Sequence, residues 1–187
     1  LNVTAIDSLC VLSKQFGFKL IHFSTDYVFD GAANSSYAED DCPRPLGIYG
    51  KTKARGESVM LKSGIDGWII RTSWLFSPYG KNFVKIIFYL LQNKDEINVV
   101  ADQTGSPTYA LDLAAATLKV LDKKPLFDRV KVYHYTNSGH TTWYGLAKAI
   151  QSQVDTKCKI HAVNTAEYLT KAPRPKYSVL SCEKLKK

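Results

Sequence analysis

Cysteine is scarce in this sequence and is not arranged in pairs. The chain has four cysteines among 187 residues, at positions 10, 42, 158 and 182, with no Cys-x-x-Cys pair. Zinc sites and disulfide frameworks need cysteines at close or regular spacings, so this scatter favours neither. We therefore expect reduced thiols and no bound metal.

Long apolar runs are also missing. A membrane-spanning helix needs roughly 20 consecutive apolar residues, whereas the most apolar segment, NFVKIIFYLLQN, is interrupted by Lys85. The sequence shows no basic and then apolar leader with a small-residue cleavage site. With 45% hydrophobic residues, the chain can still bury a substantial core. These features predict a folded, soluble, cytoplasmic protein with no membrane partner.

A concentrated basic surface is a third absence. The chain carries 25 Lys and Arg residues against 17 Asp and Glu residues, a formal net charge of +8. The basic residues are scattered, and no basic stripe alternates with stacking aromatics as nucleic-acid binding requires. The excess charge is typical of a solvated lysine-rich surface or of a general attraction for anionic small molecules. We expect no nucleic-acid partner.

Apolar strand-like segments alternate with amphipathic helical segments along the chain. This order predicts an α/β fold in which helices cover both faces of a parallel sheet. The pattern becomes less regular after Asp102, so we expect a first unit over residues 1–102 and a smaller lobe over residues 103–187. The predicted strands are residues 18–24, 67–74, 97–102, 130–137 and 159–163, and the predicted helices are residues 1–17, 49–62, 82–93, 111–121 and 143–154.

The first predicted strand ends in three polar residues, Ser24, Thr25 and Asp26. A buried polar side chain needs a partner, so a core strand has no use for three in a row. In open α/β sheets, ligands bind beside the carboxyl ends of the strands, which makes this strand end a candidate ligand site. The alternative is that Thr25 and Asp26 only cap or turn the chain.

Tyr49 and Lys53 are four positions apart in the next predicted helix, within YGKTKARGE. Side chains at that spacing share one face of a helix. An ammonium beside a phenol stabilises the phenolate and lowers the pKa of a tyrosine, so such a pair can give or take a proton. The spacing also occurs by chance on exposed helices. Its position one helix after the polar strand end favours a catalytic role.

Five motifs, in this order and spacing, resemble the dTDP-4-dehydrorhamnose reductase family of extended short-chain dehydrogenases/reductases. They are STDYVFDG, YGKTKARGE, RTSWLF, GKNFV and DQTGSPTYALDLA. The resemblance runs from Asn2 to Leu185. It implies a Rossmann-type domain that binds NADPH or NADH, of which residues 1–102 are the C-terminal part. It also implies a smaller lobe for a nucleotide-linked keto-sugar, formed mainly by residues 103–187 with elements that return to the first domain.

The resemblance also implies the chemistry. A hydride would pass from the nicotinamide to the C4 carbonyl of the sugar, converting dTDP-4-dehydro-β-L-rhamnose to dTDP-L-rhamnose. Tyr49 would protonate the developing alkoxide, Lys53 would hold the nicotinamide ribose, and Thr25 would hydrogen-bond the same oxygen. The implied cofactor-binding residues are Ser24, Tyr49, Lys53, Thr72 and Ser73.

The same resemblance places other residues near the substrate, and each has a structural alternative. Trp74 would lie beside the sugar or fill the core, and Asn82 would cap a helix whose start binds diphosphate. Gln103 and Thr108 would face the substrate or belong to a plain turn. Arg174 would reach the diphosphate or stay at the surface. The implied substrate-binding residues are Tyr27, Trp74, Asn82, Gln103, Thr108 and Arg174.

The sequence departs from the family pattern in several places. It has no glycine-rich strand-turn-helix for a pyrophosphate. GIYG (47–50) leads into the tyrosine helix, and GIDG (64–67) links a helix to a strand. Ser181 stands where an acid is expected, and a final part of the sugar lobe is missing. Because the chain also begins at Leu1, inside a predicted helix, we expect it to be a segment of a longer polypeptide.

Three functions stay open on the sequence alone. They are the reductase described above, another short-chain reductase or epimerase for a different nucleotide sugar, and a non-catalytic relative such as the regulatory subunit of methionine adenosyltransferase. Intact Thr25, Tyr49 and Lys53 favour an enzyme. The sequence fixes neither the choice between NADH and NADPH nor the oligomeric state, for which a homodimer is one option.

Overall fold

The computed structural model describes residues 1–123, 129–168, 170 and 172–186. Strands and helices alternate along most of this length. The helices are α1 Thr4–Phe16, α2 Ile48–Lys62, α3 Phe83–Asn93, α4 Ala110–Lys123, α5 Trp143–Gln151 and α6 Glu183–Lys186, with a short 3-10 helix at Asp26–Val28. The strands are β1 Leu20–Thr25, β2 Gly67–Thr72, β3 Leu75–Phe76, β4 Glu96–Val100, β5 Thr104–Gly105, β6 Thr108–Tyr109, β7 Val130–His134, β8 Thr141–Thr142 and β9 Lys159–Val163.

Three parallel strands form the main sheet, in the order β1-β2-β7. Every residue of the central strand β2 is buried, because helices cover both faces of a sheet of this kind. Ile69 packs in one core with Met60 of α2, whereas Trp68 packs in another with Leu113 of α4. The predicted α/β fold with a helix-covered parallel sheet is confirmed.

Local sequence signals place the helix ends. Helix α1 stops at Gly17, whose φ of 73° lies in the left-handed region that glycine adopts readily. Helix α3 starts after Asn82, whose side chain accepts a hydrogen bond from the Lys85 backbone N–H at 3.1 Å. The 3-10 helix and the two-residue strands β3, β5, β6 and β8 were not predicted, since such short pieces carry no readable periodicity.

A second core lies outside the main sheet. Strands β4 and β9 pair in parallel, and α3 and α5 pack against them around Ile87, Leu91, Val99 and Ala147. This core therefore joins residues from both sides of residue 102. Strand β7, which comes later in the chain, returns to the main sheet beside β2.

The C-terminal segment runs back over the carboxyl end of the main sheet. Leu180 forms a parallel bridge with Tyr37, and Tyr177 forms one with Thr104. The backbone N–H of Ser178 donates to the Thr104 carbonyl at 2.8 Å. This segment therefore closes one side of the region where β1 and β2 end. Among the helices of the described residues, none has the length and apolarity that crossing a membrane requires.

Candidate functional site

Thr25 is the last residue of β1, and its hydroxyl sits in a short local network. Its Oγ1 accepts a hydrogen bond from the Tyr27 backbone N–H at 3.2 Å and donates to Asp26 Oδ1 at 3.0 Å. Thr72 is its register partner on β2, and the buried Thr72 Oγ1 has no hydrogen-bond partner among the described residues. Two threonines thus lie side by side at the carboxyl end of the sheet, and the Thr72 hydroxyl is free for a ligand.

Tyr49 lies in the first turn of α2, beside the same strand end. Its ring meets the Tyr27 ring edge-on, with the centroids 6.1 Å apart. Helix α2 approaches so closely that a Cβ on Gly50 would lie 2.1 Å from the Tyr27 carbonyl oxygen. Tyr49 remains 54% exposed, so its phenol is open to a ligand. Tyr27 thus contacts both Thr25 and Tyr49 and joins them in one group.

Lys53 lies one turn further along α2 and is buried against β1. Its ammonium donates to the Phe23 carbonyl at 2.6 Å and lies 3.2 Å from Nε2 of His22. Burial lowers the Lys53 pKa, and the negative charge of Glu57 opposes that shift. An ammonium carries three N–H donors, so these two partners leave one donor for a ligand.

His22 supports Lys53 from the strand side. Burial lowers the His22 pKa to about 4, the Lys53 charge adds to the shift, and Glu57 opposes it. The imidazole is therefore neutral at pH 7, and a neutral ring can accept through Nε2 when Nδ1 carries the proton. His22 thus accepts from the ammonium without adding charge.

A buried ion pair ties α2 to the sheet beneath the site. Arg71 Nη2 lies 2.7 Å from Glu57 Oε2, with both side chains almost fully buried. The Ser24 hydroxyl donates to the other oxygen of Glu57, and Arg71 Nη1 lies 3.3 Å from His134 Nε2. The structure places Ser24 in this cluster and directs its hydroxyl to Glu57, away from the Thr25 group.

The strand β2 leads into Ser73 and Trp74. The Ser73 hydroxyl is buried and donates to the Ser106 carbonyl at 2.6 Å. Trp74 has a left-handed φ of 47°, and its ring stacks on Trp143 with centroids 3.4 Å apart and an interplanar angle of 7°. A Cβ on Gly105 would lie 2.5 Å from the Trp74 ring. The stacking on Trp143, and the space that Gly105 leaves by having no side chain, thus hold Trp74 in a strained backbone conformation.

A largely apolar cavity of about 260 Å³ opens beside this tryptophan pair. Trp143, Phe83 and aliphatic residues of α3 and β4 line it, and Gln103 and Arg174 supply polar groups. Gln103 Nε2 donates to Thr165 Oγ1 at 3.0 Å. Arg174 is exposed, and its charge also acts on the Tyr27 phenol. Arg174 therefore borders the cavity and also acts electrostatically on Tyr27, which contacts Thr25 and Tyr49.

The side chains of two residues that were predicted to bind substrate form hydrogen bonds with nearby residues of their own segments. The Asn82 side chain caps α3 and donates to the Ser77 carbonyl at 2.7 Å. Thr108 is fully buried, and its hydroxyl lies 3.4 Å from the Ser106 carbonyl. The structure does not bring either side chain into the group around Thr25, although Asn82 adjoins Phe83 of the cavity wall.

Several residues of the site were not singled out from the sequence. His22 and Phe23 hold Lys53, Trp143 supports Trp74, and Glu57 holds Ser24. The one available signal was Glu57, which follows Lys53 at i+4 on the same helix face. The other contacts join residues distant in sequence, and no local pattern marks them.

A second hollow, of about 390 Å³, lies elsewhere, and its mixed polar and apolar lining includes the hydroxyl residues Ser106, Thr136 and Ser181. None of the residues predicted for the site lines it. The described part of the chain contains no group of His, Cys, Asp and Glu side chains suited to a metal ion. Cys10, Cys42, Cys158 and Cys182 are all free thiols.

Comparison with known proteins gives consistent matches. A family model described as the RmlD substrate binding domain matches residues 1–187. The spore coat polysaccharide biosynthesis protein SpsK of Bacillus subtilis (strain 168) is 44% identical over 169 residues, covering 90% of this chain and 58% of that protein. The dTDP-4-dehydrorhamnose reductase of Aggregatibacter actinomycetemcomitans is 38% identical, covering 98% of this chain and 65% of that protein.

A solved structure agrees with these sequence matches. The crystal structure of dTDP-4-dehydrorhamnose reductase from Bacillus anthracis str. Ames, in complex with NADP, superposes with a TM-score of 0.92 and 39% identity. The match covers 100% of this chain and 65% of that one. The chain thus spans less than two thirds of the length of these relatives. Since the family model matches its whole length, the chain belongs to the RmlD substrate binding domain family.

Proposed function

We propose that this chain carries the catalytic and sugar-binding residues of an NAD(P)H-dependent reductase. The reaction is reduction of the C4 keto group of a nucleotide-linked deoxysugar, from dTDP-4-dehydro-β-L-rhamnose to dTDP-L-rhamnose. The observation that carries the proposal is the joining of Thr25, Tyr49 and the buried Lys53 at one strand end. Relatives named dTDP-4-dehydrorhamnose reductase, one of them solved with NADP, support it.

The proposed roles follow from the groups each residue presents. Tyr49 gives its phenolic proton to the oxygen that becomes the C4 hydroxyl. The Lys53 ammonium stabilises the phenolate that remains, and the Thr25 hydroxyl hydrogen-bonds the same oxygen. The nicotinamide supplies the hydride when it is bound.

The residues present suit the nicotinamide end of such a cofactor. The unpartnered Thr72 hydroxyl and the third N–H of Lys53 are free donors beside the strand end. Tyr49 and Lys53 would together face the nicotinamide ribose. Ser24 and Ser73 stay as proposed cofactor residues, although their hydroxyls already bond Glu57 and the Ser106 carbonyl.

The cavity beside the tryptophan pair suits the nucleotide part of the sugar. Its apolar walls would bury a pyrimidine base, and Arg174 would pair with the diphosphate. Trp74 and Tyr27 would flank the sugar between this cavity and Thr25. Gln103, Asn82 and Thr108 complete the proposed substrate-binding set.

The wider organisation is part of the same proposal. Residues 1–102 would contribute to the dinucleotide-binding domain, and residues 103–187 mainly to the substrate lobe, with β7 as the returning element. We also propose a cytoplasmic protein with no nucleic-acid or membrane partner, able to form a homodimer.

The test is Tyr49→Phe in the protein that carries this chain, assayed by NADPH oxidation with dTDP-4-dehydro-rhamnose. Losing the proton donor should lower kcat and kcat/KM together, by roughly 10²-fold to 10⁴-fold. Tyr89→Phe is the matched control, because Tyr89 is also exposed but lies on α3. A Tyr49→Phe variant that keeps most of the parent kcat removes Tyr49 from the mechanism.

The same assay separates the alternative functions. Oxidation of NADPH only with a different nucleotide sugar would identify another short-chain reductase or epimerase. No oxidation with any sugar, together with co-purification of a methionine adenosyltransferase, would identify a non-catalytic relative.

A further inference from the structure

Asp26 is a buried carboxyl for which the proposed chemistry has no role. It follows Thr25 directly, and only 2% of its surface is exposed. Its Oδ2 has no hydrogen-bond partner among the described residues. A buried carboxylate is costly unless cations or several donors surround it. The position of this side chain next to a proposed catalytic hydroxyl therefore needs an explanation.

Among the described residues, the groups that act on Asp26 are hydroxyls and backbone amides. Thr25 contacts it from the end of β1, Ser178 from the C-terminal segment, and Tyr27 from the 3-10 helix. Burial raises the Asp26 pKa to about 7, and the nearby hydroxyls of Ser178 and Thr25 oppose that shift. Tyr27, the titratable group beside it, has its pKa raised to about 12 by burial and stays neutral. The positive charge of Arg174 lowers the Tyr27 pKa, against the effect of burial.

The charge of Asp26 decides which acceptor the Thr25 hydroxyl hydrogen can reach. The Thr25 hydroxyl has one hydrogen, and its oxygen already accepts from the Tyr27 N–H. When Asp26 is ionised, that hydrogen is held by Oδ1 at 3.0 Å, and Thr25 has none left for a substrate oxygen. When Asp26 is neutral with its proton on Oδ1, that O–H can donate to Thr25 Oγ1, which frees the Thr25 hydrogen.

We propose that Asp26 is a positioning residue that acts through Thr25. In the neutral form its carboxyl donates to Thr25 Oγ1 and turns the Thr25 hydroxyl hydrogen towards the substrate carbonyl. In the ionised form it withdraws that hydrogen. This inference rests on the proposed function, in which Thr25 donates to the C4 oxygen.

The proposal predicts how kcat depends on pH. The neutral fraction of Asp26 falls as the pH rises through about 7, so kcat of the parent should decline over pH 7–8.5 by up to about tenfold per pH unit. Asp26→Asn keeps a neutral group with an N–H donor at this position, and its kcat should not show that decline. Thr25→Val should lose the Asp26-dependent decline as well, since the hydroxyl that transmits it is gone.

The matched control is Asp30→Asn. Asp30 lies in the same segment, but hydrogen bonds from the Ala32 N–H and the Tyr37 hydroxyl lower its pKa. It therefore stays ionised across this range, and its replacement should leave the decline in place. A decline that persists in Asp26→Asn, or that Asp30→Asn also removes, would overturn the proposal.

A second readout does not depend on catalysis. The ¹³Cγ resonance of Asp26, assigned by its loss in Asp26→Asn, should titrate near pH 7, and the Thr25 ¹³Cβ resonance should follow the same curve. A carboxyl that is already ionised at pH 6, or a Thr25 signal that does not follow it, overturns the inference whatever the activity. Failure of the proposed function would instead appear as absent sugar reduction with both titrations intact.

Discussion

Among the buried ionisable side chains near the strand ends, His134, His22 and Asp26 have strongly shifted pKa values, and their contributions to stability depend on pH in opposite directions. Burial lowers the pKa of His134 to about 3 and that of His22 to about 4. Their contributions to stability are present above about pH 6.5 and are lost as the pH falls through those values. Burial raises the Asp26 pKa to about 7, so its contribution is present below about pH 4 and is lost as the pH rises through 7.

His134 offers the clearest stability test at this scale. It is fully buried, and the Arg71 guanidinium beside it adds to the lowering of its pKa. Between pH 7 and pH 5 the unfolded chain takes up a proton that the folded chain refuses, which removes about 2 kcal/mol from the unfolding free energy. His134→Gln should therefore have an unfolding free energy that falls by about 2 kcal/mol less over this range, measured by urea denaturation.

The informative quantity is the change of the unfolding free energy with pH. The unfolding free energy at a single pH also reflects the packing against Phe29 that is lost with His134. His140→Gln is the control, since His140 is exposed, and its slope should match that of the parent. Equal slopes for His134→Gln and the parent would show that His134 is protonated in the folded state.

At the scale of elements, α2 organises the site. Tyr49, Lys53 and Glu57 follow at four-residue intervals, so one helix face presents a phenol, an ammonium and a carboxylate in turn. Lys53 and Glu57 are buried against the strands, whereas Tyr49 at the first turn is exposed. The position of the helix along β1 therefore sets the position of the phenol.

Gly50 fixes that position through close approach. A Cβ there would lie 2.1 Å from the Tyr27 carbonyl oxygen, a backbone atom that cannot turn away. Gly50→Ala should therefore push the first turn of α2 outwards, lower the unfolding free energy by roughly 1–3 kcal/mol and reduce turnover. Urea denaturation and the NADPH oxidation assay measure the two effects.

Gly47→Ala is the matched control at the start of the same helix. The nearest atom to a Cβ at Gly47 lies 3.6 Å away, and its φ of −101° suits alanine. Because Gly47 is the N-cap of α2, where alanine is less favourable than glycine, the replacement should cost some stability, but less than the steric overlap at Gly50. If Gly50→Ala proves as stable as Gly47→Ala, the close approach does not hold the helix in place.

The elements were largely predictable, and the contacts within the site were not. Periodicity predicted a helix over residues 49–62, and the structure has α2 at Ile48–Lys62. The strand end at Thr25 and the four-residue spacing of Tyr49 and Lys53 are local features that the sequence displays directly. The stacking of Trp74 on Trp143 joins residues far apart in the chain, and nothing in either local sequence indicates the other.

At the scale of the whole molecule, the candidate site lies where three parts meet. The main sheet supplies Thr25 and Thr72, the second core supplies the cavity walls, and the C-terminal segment brings Ser178 and Arg174. Each part has its own packing, and the segment that crosses between them is held by backbone bridges to Tyr37 and Thr104. A ligand that contacted all three parts would stabilise their arrangement.

The distribution of donors gives a whole-molecule prediction for cofactor binding. Tyr49 and Lys53 are proposed to bind the nicotinamide ribose, but the sequence has no G-x-G-x-x-G turn to place a pyrophosphate on a helix N-terminus. Without those amides and the helix dipole, a polypeptide of these residues alone should bind NADPH weakly or not at all. Calorimetric titration measures this, with Lys53→Met as the variant that should abolish any residual binding. A low-micromolar, one-to-one isotherm would contradict the prediction, because it requires a pyrophosphate site that the glycine pattern does not reveal.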